Sequence, residues 1–467
     1  MKYLKLQSVK RRHPQRSGLF FISLLSALSS LLLFCSPPAQ AMARRPPVTD
    51  ENSKARGERR AAPPLTLEEC YSLALKRSET VLIQKEDIKE AEAQFFKAAG
   101  EALGDVDFVM TYSKQKELPA GEGGVSGSFT DPDRRERKFV IKQPLFRGFR
   151  ALGALVGAGS LKKQQKEEWI RAKQLLFLDV ADAFYGLLHE KKNLQITDGI
   201  YRLYRARIRE LVARERIGRS RASELASAKS RMKEIKAERA RTRAAHAIAQ
   251  DLLEFLTGIE IQGRKLQEEE LPREAIREIN DYLQKVQERS DVEAAKQSMK
   301  TASQGVVVAQ SGFWPEVNLE HNRYNRREGL QSDIDWDLLF TVNVPLFHGG
   351  ETVGKVKEAI SRWKKEKLNY SYARRKAELE VKQAYQSWVS SVEETRALQE
   401  AVKASEENFR LQRDDYTHSL VSNLDVLAAL ESLHRTRLDA NRAYFQMKEN
   451  YWGLQTAAGA GPFDSTS

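Results

Sequence analysis

Apolar residues recur every three or four positions through two long parts of the chain, which is the spacing of an amphipathic helix. The first part has no proline between Pro144 and Pro272, and the second has none between Pro345 and Pro462. Both are rich in Ala, Lys, Glu, Arg, Leu and Gln, which favour helices. The pattern predicts long helices packed as coiled coils. One should run from about Arg150 to Arg216, roughly 100 Å at about 1.5 Å per residue.

At four places the period changes to 2, and each place predicts a β-strand. Asp333–Phe347 is the clearest case, because its apolar residues alternate with polar ones and only Leu339 interrupts the pattern. The apolar positions are Ile334, Trp336, Leu338, Phe340, Val342 and Val344. Residues 105–113 repeat the pattern, while residues 137–143 and 316–324 show it more weakly.

The first 41 residues differ from the rest of the chain. They contain a basic lead, an apolar run of 16 residues and the small residues Ala39–Ala41, which together predict a secretory signal peptide cleaved after Ala41. An uncleaved signal anchor is the alternative. Residues 42–64 are polar with four prolines and predict a disordered tether. No later segment has 18 consecutive apolar residues, so no α-helical membrane span is expected.

The four predicted strands, each with one apolar face, have two interpretations. The strands of a β-sandwich also have an apolar face toward the core and a polar face toward solvent, but four strands are too few to build a sandwich. A transmembrane barrel uses strands of about ten residues, apolar toward lipid. It needs about eight strands to close, and open edges are not viable in lipid. With a secretory signal, the pattern predicts that several chains close one barrel. The lipid-facing candidates are Trp336, Leu338, Phe340 and Val342.

Charge and reactive side chains exclude several function classes. Loss of a leader with six basic and no acidic residues lowers the formal net charge from +13 to +7. No basic face with interleaved aromatics predicts nucleic-acid binding. The seven His have no ligand spacing, and no nucleophile–base pair or phosphate loop is present, so we expect neither an enzyme, a cofactor nor a metal site. Cys70 is expected in the core, and acylation of Cys35 after the bulky Phe34 stays open.

The two halves of the chain repeat one another. An offset of 201 pairs Phe139 with Phe340 and extends to Gly258 and Gly459, while upstream the offset is 211. The difference of ten falls in a predicted surface loop, Leu118–Asp133. Such duplication indicates one structural module used twice. The predicted organisation is a first repeat at 65–264, a linking segment at 265–288, a second repeat at 289–461 and a disordered tail at 462–467.

The sequence Pro-Leu-Phe-x-Gly occurs once in each repeat, between a predicted strand and a long helix. Proline cannot donate to a strand ladder, so it is expected to end the strand. Phenylalanine is expected to pack at the rim of the barrel, and glycine to allow the turn into the helix. The predicted joints are Pro144, Phe146, Gly148, Pro345, Phe347 and Gly349.

These motifs carry a family resemblance. From "LTLEECYSLALKR" at Leu65 to about Gly461, the chain resembles the TolC-type outer-membrane efflux proteins. Supporting sequences are residues 290–319, the two PLFxG copies, "VADAFYGLL" and "SLVSNLDVLAALESL". The resemblance implies a mainly α fold with two β-hairpins per chain. It also implies that a homotrimer completes a 12-stranded barrel and a helical tunnel.

The resemblance further implies a location and partners. The protein is expected in the bacterial outer membrane, in contact with its lipid and extending into the periplasm. Its function would be the exit duct of a tripartite efflux or type I secretion system. A periplasmic adaptor would connect it to an inner-membrane pump of the RND, ABC or MFS type. The alternative is a periplasmic coiled-coil adaptor or scaffold, although that class usually has one helical hairpin and lacks lipid-facing strands.

The same resemblance places the tips of the helical hairpins at Arg216–Leu225 and Tyr416–Leu427. The residues implied in the turns and in adaptor docking are Gly218, Glu224, Ser419, Leu420, Val421, Ser422 and Asn423. Some members have glycine where Ser419 stands, so this serine must avoid or bear a left-handed backbone. Asp425 is either a pore-facing gate residue or an ordinary acid at a helix start. Ala428 replaces a second pore acid of some members, so any acidic gate should be weaker.

Overall fold

A computed structural model describes residues 64–114, 133–268, 270–271, 278–328 and 331–461. The predicted signal peptide, Cys35, all but the last residue of the predicted tether, most of the Leu118–Asp133 loop and the predicted tail lie outside the described residues. Within the described ranges, no helix combines the length and apolar character needed to cross a membrane.

The helices of the first repeat are α1 (Leu67–Arg77), α2 (Glu79–Leu103), α3 (Arg150–Arg216) and α4 (Ala222–Thr257). A short helix, α5 (Ile279–Lys285), precedes the second repeat, which contains α6 (Ser290–Gln310), α7 (Glu351–Thr417) and α8 (Asn423–Ala457). The strands are β1 (Asp105–Lys114), β2 (Asp133–Arg147), β3 (Glu316–Arg327) and β4 (Trp336–Asn343). The two repeats therefore use the same order of elements, while the repeat boundaries at 264 and 289 stay predictions.

The predicted long helices are confirmed. α3 and α7 each contain 67 residues, and α3 has the bounds that the sequence predicts. Each folds back on a shorter partner, α4 or α8, and α3 also packs against α8. Helix α3 therefore belongs to one coiled coil and also joins the two repeats.

One apolar core lies where α1, α3 and α8 meet. Phe177 is fully buried, and its ring makes edge contacts with Tyr71 of α1 at 5.3 Å and with Trp452 of α8 at 5.1 Å between centroids. Cys70 belongs to this cluster and is fully buried, as predicted, and burial raises the pKa of its thiol to about 12. This packing ties the start of the first repeat to the end of the second.

The strands form one antiparallel sheet in the order β1-β2-β3-β4. Val106 pairs with Ile141 in the first hairpin, and Val317 pairs with Val342 in the second. The offset of 211 converts Val106 into Val317, and the offset of 201 converts Ile141 into Val342, so the first pair corresponds to the second. The two β-hairpins are therefore equivalent copies with the same register.

The prediction that proline ends the strand is wrong for the first copy. Strand β2 continues through Pro144, which lies opposite Asn318 of β3, and ends at Arg147. The pairing shifts register between Pro144 and Phe146. A bulge tolerates proline because the residue there need not donate to the ladder.

In the second copy the strand ends just before the proline. β4 covers eight residues, Trp336–Asn343, within the segment Asp333–Phe347 and stops two residues before Pro345. The two copies differ in their position in the sheet, because β2 has a partner on each side whereas β4 is an edge strand. The fold class is confirmed: long paired helices and two β-hairpins form a duplicated, mainly α chain.

Candidate functional site: the hairpin tips and the exposed sheet face

The first helical hairpin turns at Gly218, which has φ of +73°. Its backbone N–H donates to the carbonyl of Glu215 at 2.9 Å, and the N–H of Arg219 donates to the carbonyl of Arg214 at 2.8 Å. A left-handed residue that closes the last helical turn in this way is a common helix end, and glycine adopts it without steric cost.

The second hairpin makes the same turn with a serine. Ser419 has φ of +61°, and the N–H of Leu420 donates to the carbonyl of Asp415 at 3.0 Å. Ser419 therefore bears the left-handed conformation, at a cost of about 1–2 kcal/mol for a residue with a β-carbon. Leu420 is exposed, while Val421 packs on the apolar cluster at the tip.

Asp425 caps the start of α8. The backbone N–H of Ser422 donates to the Asp425 carboxylate at 2.9 Å, and the Ser422 hydroxyl accepts from the N–H of Asp425 at 3.4 Å. The same hydroxyl also donates to that carboxylate at 2.7 Å. These hydrogen bonds form a capping box, and they hold the pKa of the exposed Asp425 carboxyl below its ordinary value. The geometry thus gives Asp425 a helix-start role, and a role in the pore stays a prediction.

Asn423 ties the two hairpins together. Its side chain is buried and its Oδ1 accepts from Nε of Arg207 on α3 at 2.9 Å. Its Nδ2 donates to the backbone carbonyl of Glu224 on α4 at 3.3 Å. Asn423 therefore contacts both helices of the first hairpin from the start of α8.

Tyr416 makes a second connection between the hairpins. The guanidinium groups of Arg207 and Arg214 lie over its ring, 3.8 Å and 4.6 Å from the centroid. Its hydroxyl donates to the Glu224 carboxylate at 3.2 Å, and the Ser220 hydroxyl donates to the same oxygen at 2.8 Å. The end of α7 is thus bound to both helices of the first hairpin by stacking and hydrogen bonds.

The sequence analysis did not identify Arg207 as a tip residue. Its side chain is buried and also forms an ion pair with Glu210 at 2.8 Å. The signal was present in the pattern, because the buried stripe of α3 reads Ile200, Tyr204, Arg207, Leu211. A cation on an otherwise apolar stripe requires partners.

The sheet has one face of exposed apolar side chains. Phe108 and Phe139 lie in register on neighbouring strands, with ring centroids 5.0 Å apart. The four lipid-facing candidates of β4 lie on this same face and are all exposed. Its large exposed apolar members are Val106, Phe108, Met110, Tyr112, Phe139, Ile141, Trp336, Leu338, Phe340 and Val342. The opposite face carries polar residues, including Asp337, whose carboxylate accepts from Asn322 and Tyr324.

The two predicted barrel–helix joints share a backbone conformation but not a packing environment. Gly148 and Gly349 have φ of +59° and +58°. Phe146 makes an edge contact with Trp314, at 6.5 Å between centroids, whereas Phe347 is 85% exposed. Pro345 lies between β4 and α7 in the second joint. The first joint is therefore packed within the chain and the second is not.

Comparison with known proteins finds similarity to outer-membrane efflux proteins. Residues 282–460 match the family model described as "Outer membrane efflux protein". The "Cation efflux system protein CusC" of Escherichia coli O157:H7 is 22% identical over 407 residues, which cover 84% of this chain and 85% of that protein.

The described residues contain no group of three or more His, Cys, Asp or Glu placed to hold a metal ion.

Solved structures agree on the fold. The outer membrane protein VceC of Vibrio cholerae has a TM-score of 0.75 at 19% identity, over 85% of this chain and 96% of that one. The Campylobacter jejuni CmeC outer membrane channel has a TM-score of 0.74 at 14% identity, over 89% and 94%. The family that matches residues 282–460 and the fold that the chain shares with the solved structures are both those of outer-membrane channels. Residues 282–460 thus match the outer membrane efflux protein family, and the chain has the fold of outer-membrane channels over most of its length.

Proposed function

We propose that three copies of this chain form the exit duct of a tripartite efflux or type I secretion system. Each copy would supply four strands to a 12-stranded barrel in the outer membrane and two helical hairpins to a tunnel through the periplasm. An inner-membrane pump of the RND, ABC or MFS type would deliver the substrate through a periplasmic adaptor. The observation that carries the proposal is the four-stranded sheet, which exposes one apolar face and leaves its two outer strands unpaired within the described residues.

The exposed apolar face is costly in water, and the unpaired strand edges are costly in lipid. Ten large apolar side chains lie exposed on one face, and contiguous apolar surface of this size indicates a partner or a membrane. The free edges of β1 and β4 present unpaired backbone groups, which lipid does not tolerate. Closure with two more copies would pair every edge and turn the apolar face toward lipid.

The helical part supports a duct and not a scaffold. A 67-residue helix is about 100 Å long, at about 1.5 Å per residue. The chain contains two such helices, each with its own partner, below one sheet. An adaptor or scaffold would not need the apolar sheet.

Reconstitution in planar lipid bilayers tests this function. The purified full chain should form trimers and produce discrete ion conductance. A matched variant, Phe340→Asp and Val342→Asp, places two charges on the proposed lipid face and should abolish insertion, while Thr341→Asp on the polar face should conduct. A monomeric protein without conductance would support the scaffold alternative instead.

Docking of the adaptor at the tips is the second part of the proposal. Ile217 and Leu420 in the two turns and Leu424 in the first turn of α8 are large, apolar and exposed. Exposed apolar residues at the end of a helical hairpin favour contact with another protein. Leu420→Asp together with Leu424→Asp should abolish co-purification of the adaptor while conductance persists. Normal co-purification would contradict docking at the tips.

The third part concerns Asp425 as a gate. A ring of three carboxylates at the narrow end of a pore would bind cations. Asp425→Asn keeps an oxygen for the Ser422 N–H and removes the charge. The variant therefore preserves the helix cap while it removes the proposed cation-binding charge of the gate. We expect weaker block of conductance by divalent cations, with Asp414→Asn on α7 as the control. Unchanged block in Asp425→Asn would remove Asp425 from the pore.

A further inference from the structure

We propose that four arginines on the exposed apolar face of the sheet bind the phosphate groups of an anionic lipid in the outer leaflet of the membrane. This arginine cluster consists of Arg135 and Arg137 of β2 and Arg323 and Arg326 of β3, and all four are exposed. The inference rests on the proposed barrel, and it adds to the barrel a binding site and the class of lipid that the site takes.

The pairing of β2 with β1 places its two arginines on the apolar face. Arg137 lies opposite Met110, and Arg135 lies opposite Tyr112. The guanidinium of Arg135 lies over the Tyr112 ring, 5.6 Å from its centroid. Residues directly opposite one another in an antiparallel pair share a face, and Met110 and Tyr112 belong to the exposed apolar one.

The pairing of β3 places its two arginines on the same face. Arg323 lies between Phe139 of β2 and Trp336 of β4, which are both exposed apolar residues of that face. Arg326 lies directly opposite Arg137. The cluster therefore occupies two neighbouring strands in the middle of the sheet and is complete within one chain.

The pair Arg137–Arg326 is unusual for a strand ladder. The α-carbons of directly opposite residues are about 4.5–5.5 Å apart, and like charges in such a pair destabilise the sheet. An anion bound between the two side chains removes the repulsion. Phosphate suits them, because a guanidinium donates two parallel hydrogen bonds to phosphate oxygens.

The other repeat shows that this face does not require arginine. The offset of 201 converts Arg135 into Trp336 and Arg137 into Leu338. Both equivalents lie on the same face of β4 and are large, apolar and exposed. The second hairpin thus has apolar side chains where the first has cations, so the arginines are a local departure from the apolar pattern.

Two carboxylates lie beside the cluster and neutralise part of it. Glu328 accepts from Nε of Arg326 at 2.9 Å and from the backbone N–H of Arg135 at 2.8 Å. Asp133 accepts from the Tyr112 hydroxyl at 3.1 Å. Both acids are at the outer end of the cluster, beyond the level of the Arg137–Arg326 pair.

Arg137 and Arg323 keep their charges unpaired. Within the described part of the chain, neither guanidinium has a carboxylate at ion-pair distance. A charge that faces lipid is costly near the middle of the bilayer, and the cost falls toward the interface. The cluster therefore requires both a position at the level of the lipid headgroups and an anionic partner there.

The order of side chains along the strands favours a lipid over a soluble anion. The cluster is at the end of the sheet that lies away from the helices, because β2 runs from Asp133 toward α3. Toward the helices, the same face continues with the apolar Ile141, Leu338 and Phe340. A phosphate head followed by acyl chains matches this order, whereas a free anion would contact only the arginines. Tyr112 and Trp336 flank the cluster, as aromatic residues do at a membrane interface.

Binding of diphosphoryl lipid A, a lipid whose head carries two phosphates, tests the site. The purified full chain in neutral detergent micelles should bind this lipid at least about tenfold more tightly than the same lipid without phosphates. Arg137→Gln with Arg323→Gln should weaken binding at least about tenfold, because charge-assisted hydrogen bonds to phosphate are lost. Equal binding of the two lipids, or of parent and variant, would overturn the proposal.

A matched control removes the same charge from the other face of β2. Arg134→Gln with Lys142→Gln deletes two exposed cations whose side chains point away from the cluster. Its binding should stay within about threefold of the parent, because separated exposed charges are screened. A loss as large as that of the cluster variant would show that net charge alone attracts the lipid, which would overturn the site.

Two further arms identify the source of the phosphate and the mode of contact. Inorganic phosphate, at the same concentration of phosphate groups, should not displace the lipid, and displacement would show a site for a free anion instead. Binding should persist in EDTA, because the guanidinium groups contact phosphate directly. Loss in EDTA would assign binding to a divalent cation held by Glu328 and Asp133 and would overturn the role of the arginines.

Conductance in bilayers of zwitterionic lipid separates this site from the proposed duct. The parent, the cluster variant and the control should conduct equally, which also shows that the variants fold. If the cluster variant does not conduct, the preference of the parent for the phosphorylated lipid decides. A parent that neither assembles nor conducts would overturn the barrel and the site together. A conducting parent without that preference would overturn the site alone.

Discussion

Replacement of Asn423 by alanine should loosen the hairpin tips selectively. The change removes the oxygen that accepts from Arg207 Nε at 2.9 Å and leaves a charged donor buried. A hydrogen bond to a charged group contributes about 1.5–3 kcal/mol. Arg207 keeps its ion pair with Glu210 and its stacking on Tyr416, so the tip should open locally without unfolding the chain.

Native-state hydrogen exchange measures this local opening. At about 1.4 kcal/mol per tenfold change, protection of amides near residues 207–225 and 416–430 should fall by roughly 10- to 150-fold. Amides around Phe177, in the distant core, should keep their protection. Asn408→Ala is the matched control, because Asn408 is exposed on α7, and its effect should stay below about threefold. Equal protection in both variants would refute the claim that Asn423 holds the hairpins together.

Three other changes give separate outcomes. Phe177→Ala should lower the free energy of unfolding by about 3–5 kcal/mol in thermal denaturation, and a loss below about 1 kcal/mol would contradict the tight packing against Tyr71 and Trp452. Ser419→Gly should raise the free energy of local opening at the tip by about 1 kcal/mol in hydrogen exchange, since glycine relieves the left-handed strain. Reduced protection would show that the serine side chain compensates for that strain. Burial, and then the charge of Asp182, raises the Glu449 pKa from 4.5 to about 7. The folded state therefore holds this proton more tightly than the unfolded state, and the resulting stability, present below pH 4.5, is lost as pH rises through about 7. Melting temperatures across this range should fall less in Glu449→Gln, and an unchanged slope would exclude Glu449 as a cause.

The extent of helix α3 was predictable because it depends on local properties. Missing prolines, helix-forming composition and the 3.6-residue period act within a few turns, so α3 begins and ends where the pattern predicts. The tip turns were placed by the family resemblance, and Gly218 and Ser419 have left-handed backbones within them. The end of β2 was predicted wrongly at Pro144, because strand ends depend on neighbouring strands and not on local sequence alone.

The tip network could not be read from the sequence. Arg207 and Asn423 are 216 residues apart, and no local pattern states that they share a hydrogen bond. The apolar stripe of α3 showed only that Arg207 needs partners. For Asp425, the sequence left a cap and a gate open, and its bonds with Ser422 show the cap.

By itself, the sequence determined the elements, their duplication and the alternation that gives the strands one apolar face. These follow from backbone sterics, side-chain entropy and the periodic spacing of side chains on one face of a helix or strand, all of which depend on nearby residues in the chain. Only the tertiary structure decided that β2 runs through Pro144, that Asn423 and Tyr416 join the hairpins, and that Phe347 and Phe96 lie exposed in a single chain. The physical reason is that burial, pairing and exposure depend on which distant elements meet, and local periodicity does not specify that choice.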